Sequence, residues 1–476
     1  VLDKNVGLYT DYYELTMAQG YFLKNRNEKK AVFDYFFREN PFNGGYVVFA
    51  GLSDLLSLLD DFKFSRKACS YLKKQGFQDE FLNYLRDFQF SGDIFACPEG
   101  EVVFPREPVI RIEGNILEAQ IIETLLLNII NFASLIATKA SRINFAAGER
   151  QVVDFGLRRA QGTGGILASK AAVIGGVSST SNVLSAFNYG LEATGTQAHS
   201  WVQSYEDELT AFRHFADIYP KNCVLLVDTY DTLKSGLPNA IQVAREMEER
   251  GEKLLGIRLD SGDLTQLSIK ARRRLDEAGL DYVKIAASGQ LDEYEIKKLI
   301  KKEAAIDLFG VGTRLITGQP DGALNGVYKL SMVEGRPTLK ISEDREKIII
   351  PGCKNIIRCR DGKMQADVIV LCNEQISEVK ELFHPYLDDS WMVDCDNKEF
   401  LLDKVMSEGQ TRLEDKKVSE ISEYRRQSLE ALPEKYKRIK NPEQYPVGIS
   451  ENCRKLQQKL IREKEEKAKN NSQGGF

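Results

Sequence analysis

Between residues 151 and 312, short apolar runs recur and are separated by polar stretches of helical periodicity. The runs are QVVDFGL (151–157), AAVIGGV (171–177), LEATGTQA (191–198), CVLLVDT (223–229), KLLGIRLD (253–260), YVKIAAS (282–288) and IDLFGVG (306–312). Stretches such as LPNAIQVAREMEERG and LTQLSIKARRRLDEAG lie between them and end on Gly, as helices do. Seven strands alternating with helices specify a parallel α/β sheet, and an irregular TIM-like α/β barrel takes that number more readily than an open doubly wound sheet. The expected organisation is an N-terminal α+β segment and long helix over 1–140, the barrel over 141–330, and a segment over 331–476 that completes a second α+β domain.

The flanks fit this division. KKAVFDYFF and EVVFPREPVIRIEG read as strands, FSRKACSYLKKQGF as a helix, and ILEAQIIETLLLNIINFASLIATKASRINFAAG as a long helix entering the barrel. LKISEDREKIIIPG and KMQADVIVLC read as further strands. From about 413 onward the pattern is helical and charged, and REKEEKAKNNSQGGF is expected to fray.

Composition narrows the class. With 42% hydrophobic and 28% charged residues the chain is of ordinary globular type, and no membrane span is expected. A net charge of −5 argues against nucleic acid as a partner, because phosphate backbones need a basic field. The opening VLDKNVGLYTDYYEL lacks the series of a signal peptide, so a cytoplasmic location is expected. The eight cysteines are too scattered for a disulfide framework and are expected to be free thiols. Cys353, Cys359, Cys372 and Cys395, with His384 nearby, lack the spacing of a zinc site.

In a barrel the residues just past each strand form the active mouth. Here they are Arg158-Arg159, SSTSN (178–182), Thr196 with His199, DTYDT (228–232), RLDSGDL (258–264), SGQLDE (288–293) and GVGT (310–313). Taken singly, each reads as a helix cap or a tight turn. Seven caps in register would not, however, also supply two arginines, a histidine and several carboxylates that do no capping. Backbone N–H groups at Ser288-Gly289 and Gly310–Thr313 suit a terminal phosphate. Arg158 and Arg258 offer forks for further phosphate oxygens. Asp228 and Asp260 could bind ribose hydroxyls or Mg²⁺, or orient an imidazole. A sugar carrying several phosphates is the ligand such a set describes.

The assembled motifs LYTDYYELTMAQGYF, NPFNGGYVVFAGL, FGLRRAQG, STSN, GTQAHSWV, LLVDTYDT, IRLDSGDL, SGQLDE and FGVGTRL resemble those of the nicotinate phosphoribosyltransferases, of the type II phosphoribosyltransferase fold. The resemblance covers most of 1–330. It implies transfer of the phosphoribosyl group of phosphoribosyl pyrophosphate to nicotinate, with Mg²⁺ as cofactor, coupled hydrolysis of ATP as co-substrate, and a homodimer with shared active sites. By the same resemblance His199 is the residue phosphorylated by ATP and Asp228 polarises its ring. Arg158, Arg258 and Thr196 contact substrate, Asp260 holds ribose or its magnesium, and Gly289, Gly312 and Thr313 hold the 5′-phosphate. Phe155 and the partner's Tyr13 stack on the pyridine. Ser178 replaces the Asp of nicotinamide-using relatives, which implies a preference for nicotinate.

Overall fold

The structure, a computed structural model, describes residues 5–341, 348–393 and 395–473. Two units divide it: Ile136–Gly322 with Lys417–Glu423, and the remainder, Val1–Leu135, Ala323–Lys416 and Tyr424–Phe476.

The apolar runs of the middle segment build a sheet of six parallel strands: β1 (Gln151–Asp154), β2 (Ser179–Thr180), β3 (Val224–Leu226), β4 (Gly256–Leu259), β5 (Lys284–Gly289) and β6 (Leu308–Val311). Their order is β2-β1-β6-β5-β4-β3, and Ala193 extends it through a parallel bridge to Thr180. Taken cyclically this is the order of the chain. Among the described residues no pairing joins Ala193 to β3, so the hydrogen-bonded ladder is open there where a barrel was expected to close. Helices cover the strands with one apolar stripe each. Leu237, Ala240, Val243, Ala244 and Met247 form the buried face of Leu237–Glu249, and they share a core with Leu225, Val227, Ile257, Leu259 and Ile285. Each large side chain buried there contributes about 1.5–3 kcal/mol.

Two expected strands are different. AAVIGGV is the end of the helix Gly164–Ile174, because its alanines favour helix and Gly175 and Gly176 N–H close the last turn onto Ala171 and Val173. The strand follows it as Ser179–Thr180. In LEATGTQA only Ala193 pairs, and the rest leads as coil into the short helix His199–Gln203.

The other unit contains a seven-stranded sheet, in which Lys30–Phe37 lies between Gly326–Val333 and Ile110–Asn115, and a six-stranded sheet centred on the hairpin Lys354–Asp361/Lys363–Leu371. Of the expected strand LKISEDREKIIIPG, residues 342–347 lie outside the described residues and the rest is not strand. After 413 the helices Val418–Ala431, Glu434–Lys437 and Glu451–Gln473 are joined by coil and by the strand Val447–Ile449. The last helix, Glu451–Gln473, runs into the stretch expected to fray, of which residues 474–476 lie outside the described residues. Among the described residues one helix, Glu123–Ala147, is long and apolar enough to cross a membrane by length and composition, and 72% of its most apolar window is buried in the protein.

Not all the cysteines are free as expected. Cys359 and Cys395 form a disulfide with Cα atoms 5.9 Å apart. Pairing of Cys359 with Lys398 on the neighbouring strand brings Cys395 within reach, a proximity that sequence spacing does not reveal.

The same sheet buries a charged network. Arg358, fully buried, donates to Asp367 at 2.6 Å, to Glu101 at 2.8 Å and to the Val102 carbonyl at 2.9 Å. Burial and the nearby Asp367 carboxylate push Glu107 well above the usual carboxylate range. A raised carboxyl stabilises the fold while it stays protonated, and that contribution is lost as pH rises through the folded-state value. Glu107→Gln, which mimics the protonated form, is therefore expected to flatten the decline of thermal stability as pH rises above the ordinary carboxylate range. Parallel declines in the variant and the native chain, in melts followed upward from that range, would refute this assignment.

Candidate active site

Because all six strands run the same way, their C-terminal ends meet along one edge. Phe155, Ser181, Asp228, Asp260, Gln290 and Gly312 follow the strand ends there. Phe155 N–H donates to the Val311 carbonyl at 2.8 Å and Ser181 N–H to the Asp154 carbonyl at 2.8 Å, which continues the ladder one residue into the mouth. A cavity of about 350 Å³ opens on this edge, lined by Phe155, Arg158, Arg159, Ser181, Gly195–His199, Arg258, Asp260, Ser288–Gln290, Gly310, Gly312 and Thr313.

Two glycines shape its floor. At Gly310 an added Cβ would lie 2.5 Å from the Phe155 ring, so the bare backbone is what lets that ring lie flat against β6. Gly289 has φ of 116° and its Cβ would come 2.9 Å from the Asp260 carbonyl. A side chain there is excluded by both conformation and space, and the backbone is left open to the cavity. Gly312 precedes the helical turn Thr313–Ile316.

Arg258 stands on the cavity wall, with its guanidinium 5.9 Å from the centroid of Phe155. One of its nitrogens donates to Thr196 Oγ1, while its buried Nε has no hydrogen-bond partner. Burial holds this guanidinium below its usual value, opposed by the Asp260 and Asp228 carboxylates, and Arg158 adds to the lowering. An unpaired buried donor on a cation is costly, so this wall is built for an anion. Arg158 itself is exposed on the rim.

Asp260 accepts from Ser288 Oγ. Asp228 Oδ2 accepts from Asp260 N–H at 3.0 Å and from Ser261 Oγ at 2.6 Å. Its Oδ1 is buried without a hydrogen-bond partner and lies 4.0 Å from His199 Nε2. That distance allows charge attraction but exceeds a hydrogen bond. The other ring nitrogen, Nδ1, is 3.1 Å from Thr229 Oγ1. His199 opens its helix at Ala198–His199 with a half-exposed ring, within reach of any group held in the cavity. Among the described residues no three or more His, Cys, Asp or Glu gather as a metal cage. Magnesium held by one carboxylate, substrate oxygens and water needs none, and Asp260, on the cavity wall, suits that role.

Ser178 is not brought to the cavity. Its hydroxyl donates to the Val152 carbonyl at 2.9 Å, upstream of the strand end, and the hydroxyl at the mouth belongs to Ser181. The reason is register: β2 pairs Thr180 with Asp154, so the first residue past the edge is 181. Tyr13 belongs to the other unit, on the helix Tyr12–Leu23, and is 48% exposed.

Several groups escape sequence reasoning. Asp154, fully buried, accepts from Gly156 N–H at 2.7 Å, Ser169 Oγ at 2.8 Å and Thr180 Oγ1 at 2.7 Å, and so ties the ends of β1 and β2 to a helix. Glu293, also fully buried, accepts from Lys139 Nζ at 2.5 Å and Arg142 Nε at 3.1 Å. Its neighbour Asp292 caps Glu293–Lys301 by accepting from Tyr294 and Glu295 N–H. The loop that carries Gly289 is thereby anchored to the long apolar helix. An Asp at the end of an apolar run and two cations at i, i+3 on an apolar helix were the available signals.

The sequence matches the nicotinate phosphoribosyltransferase N-terminal domain over residues 8–131, the nicotinate phosphoribosyltransferase family over 150–384 and the corresponding C-terminal domain over 353–457. It is 43% identical over 463 residues to the nicotinate phosphoribosyltransferase of Bacillus subtilis, covering 95% of this chain and 94% of that protein. The crystal structure of human nicotinic acid phosphoribosyltransferase superposes with a TM-score of 0.85 at 30% identity, covering 95% of this chain and 99% of the human one. The nicotinate-nucleotide pyrophosphorylase from Pyrococcus furiosus superposes at 0.72 and 27% identity, over 90% and 96% of the two chains.

The anchor and the rim should separate in mutagenesis. Glu293→Ala takes from Lys139 and Arg142 the carboxylate they share, and is expected to lower unfolding free energy by about 3–5 kcal/mol in urea titration. Arg158→Ala, on the exposed rim, should stay within about 0.5 kcal/mol of the native value. Equal stabilities for the two variants would contradict the anchoring role.

Proposed function

The chain belongs to the nicotinate phosphoribosyltransferase family, and from that premise we propose that its cavity joins nicotinate to the ribose of phosphoribosyl pyrophosphate, forming nicotinate mononucleotide and pyrophosphate. The observation that carries this reading is Arg258, a guanidinium on the wall of a cavity that is also lined by Gly289, Gly310 and Gly312. Polyphosphate suits both the cation and the glycine backbone N–H groups. In this reading Arg258 and Arg158 hold pyrophosphate oxygens, Gly289, Gly312 and Thr313 the 5′-phosphate, and Asp260 the ribose hydroxyls or magnesium. Phe155 stacks on the pyridine. Ser181 takes the place expected for Ser178 near the acid of nicotinate, and Thr196 steadies Arg258. The bond from ribose C1 to pyrophosphate breaks as the pyridine nitrogen attacks, and the fixed cations stabilise the departing charge. Magnesium, when bound, neutralises part of that charge. The cyclic strand order favours a barrel parted between Ala193 and β3 as the frame of this site.

ATP coupling is assigned to His199. A proton on Nε2, facing Asp228, leaves the lone pair on Nδ1, which accepts from Thr229 until it attacks the γ-phosphorus and ADP departs. His199→Asn is expected to fold and to bind phosphoribosyl pyrophosphate, but to lose nicotinate-stimulated ATP hydrolysis by more than about 100-fold. Native ATP turnover in the variant, measured with nicotinate and phosphoribosyl pyrophosphate present, would remove His199 as acceptor.

The functional form in this reading is a cytoplasmic homodimer in which the partner's N-terminal helix brings Tyr13 to the pyridine. Its support is the helix Val183–Tyr189, which starts just after the cavity residue Ser181 and leaves Val183 71% and Phe187 84% exposed. Apolar exposure of that kind calls for a cover. Mixing inactive Tyr13→Ala and Arg158→Ala chains should regenerate about a quarter of the native sites, since half the dimers are mixed and one site in each is intact. Verified mixed dimers without activity would mean that each site is built within one chain.

A further inference from the structure

The hairpin Lys354–Asp361/Lys363–Leu371 is flanked by two thiols that phosphoribosyl transfer does not use. Its register pairs Lys354 with Leu371, so Cys353 and Cys372 stand opposite one another one residue further out. There Cys372 N–H donates to the Cys353 carbonyl at 3.0 Å. Opposed residues of antiparallel strands carry their side chains on one face, with Cα atoms about 4.5–5.5 Å apart, inside the span of a disulfide. Both cysteines are nevertheless free.

The two thiols are chemically unequal. Cys372 is exposed and Cys353 is partly buried. Cys353 Sγ lies 3.5 Å from Glu113 Oε1, and that carboxylate is held by Arg111 Nε at 2.8 Å. The hydrogen bond from Cys353, then the Arg111 guanidinium, hold the Cys372 thiol below its usual value, opposed by the partial desolvation of a sulfur that still meets solvent. The same hydrogen bond and burial push Cys353 up. The exposed Cys372 sulfur is therefore the one that an oxidant in solvent meets first. Elsewhere burial pushes thiols up, to about 12 at both Cys223 and Cys453, which leaves them inert.

We propose that Cys353 and Cys372 form a reversible dithiol–disulfide modification site, with Cys372 the attacking thiolate and Cys353 the resolving thiol. The oxidant is a low-molecular-weight disulfide. Cys372 thiolate attacks one of its sulfurs, forming a mixed disulfide and expelling one thiolate. Cys353 then gives its proton to Glu113 and attacks Cys372 Sγ, expelling the second thiolate, which takes up that proton. In sum two protein thiols are oxidised by two electrons to one disulfide, and one small disulfide is reduced to two thiols. The product joins the two open ends of the hairpin.

The test is oxidation of the native, folded chain with glutathione disulfide, followed by alkylation of remaining thiols and peptide mass mapping. The expected product is a Cys353–Cys372 cross-linked peptide, reversed by dithiothreitol, with Cys69, Cys97 and Cys223 still alkylatable only after unfolding. In the reduced chain Cys372 should alkylate at least about tenfold faster than Cys453. Cys353→Ser is expected to stop at the glutathione adduct on Cys372, and Cys372→Ser to form neither product. A native chain that stops at a glutathione adduct, or that leaves both thiols free, would overturn the proposal. A Cys372→Ser variant that reacts at Cys353 at the native rate would overturn the order of attack. The first result needs no variant, so a substitution that fails to fold leaves the proposal open to refutation.

Discussion

Parallel strands end on a common edge, and in this protein every other feature of the candidate site depends on that constraint. Six strands spread over some 160 residues contribute one or two side chains each, and only a shared direction brings Phe155, His199, Asp260 and Thr313 to one cavity. A parallel ladder also leaves its terminal backbone groups unpaired, and here they are satisfied by side chains of the mouth. Asp154 gathers the ends of β1 and β2 with three hydrogen bonds. Asp228 does the same for the loop after β4, through Asp260 N–H and Ser261. The buried carboxylates behind the cavity are thus held by the hydrogen bonds that end the sheet.

Buried charge recurs in both units with a similar logic. Glu293 between Lys139 and Arg142 fixes the loop of Gly289, and Arg358 between Asp367 and Glu101 fixes the hairpin of the second sheet. Such groups add little net stability compared with apolar residues of similar volume, but removing one partner is costly, so they enforce a single arrangement. Arg258 differs because its Nε is left unpaired. The protein supports that cost with surrounding carboxylates, and an anionic ligand would relieve it.

Much of this was legible in the sequence because the informative residues sit at positions fixed by the strand period. Arg258, Asp260, Gly289 and Gly312 each sit at or just past the C-terminal end of an apolar run, and an apolar run in an alternating α/β chain has only one edge at which its end can lie. AAVIGGV is as apolar as a strand but too rich in alanine for one, and Ser178, which the family resemblance places at the strand end, lies upstream of the edge that Ser181 follows. Long-range pairing left no trace: Lys139 and Glu293 are 154 positions apart, and Cys359 reaches Cys395 only through the neighbouring strand. The period of a segment reports its own conformation and its buried face, and says nothing of which distant segment meets it.

If the cavity at this edge transfers a phosphoribosyl group to nicotinate through a polyphosphate held on Arg258, nicotinate consumption and pyrophosphate release will run together when phosphoribosyl pyrophosphate is supplied and nicotinamide is the competing base. The expected result is one pyrophosphate per nicotinate consumed, a mononucleotide product, strong preference for nicotinate, and loss of turnover in Arg258→Ala while the variant stays folded. Turnover of nicotinamide at a comparable rate, or a folded Arg258→Ala enzyme with native activity, would contradict it.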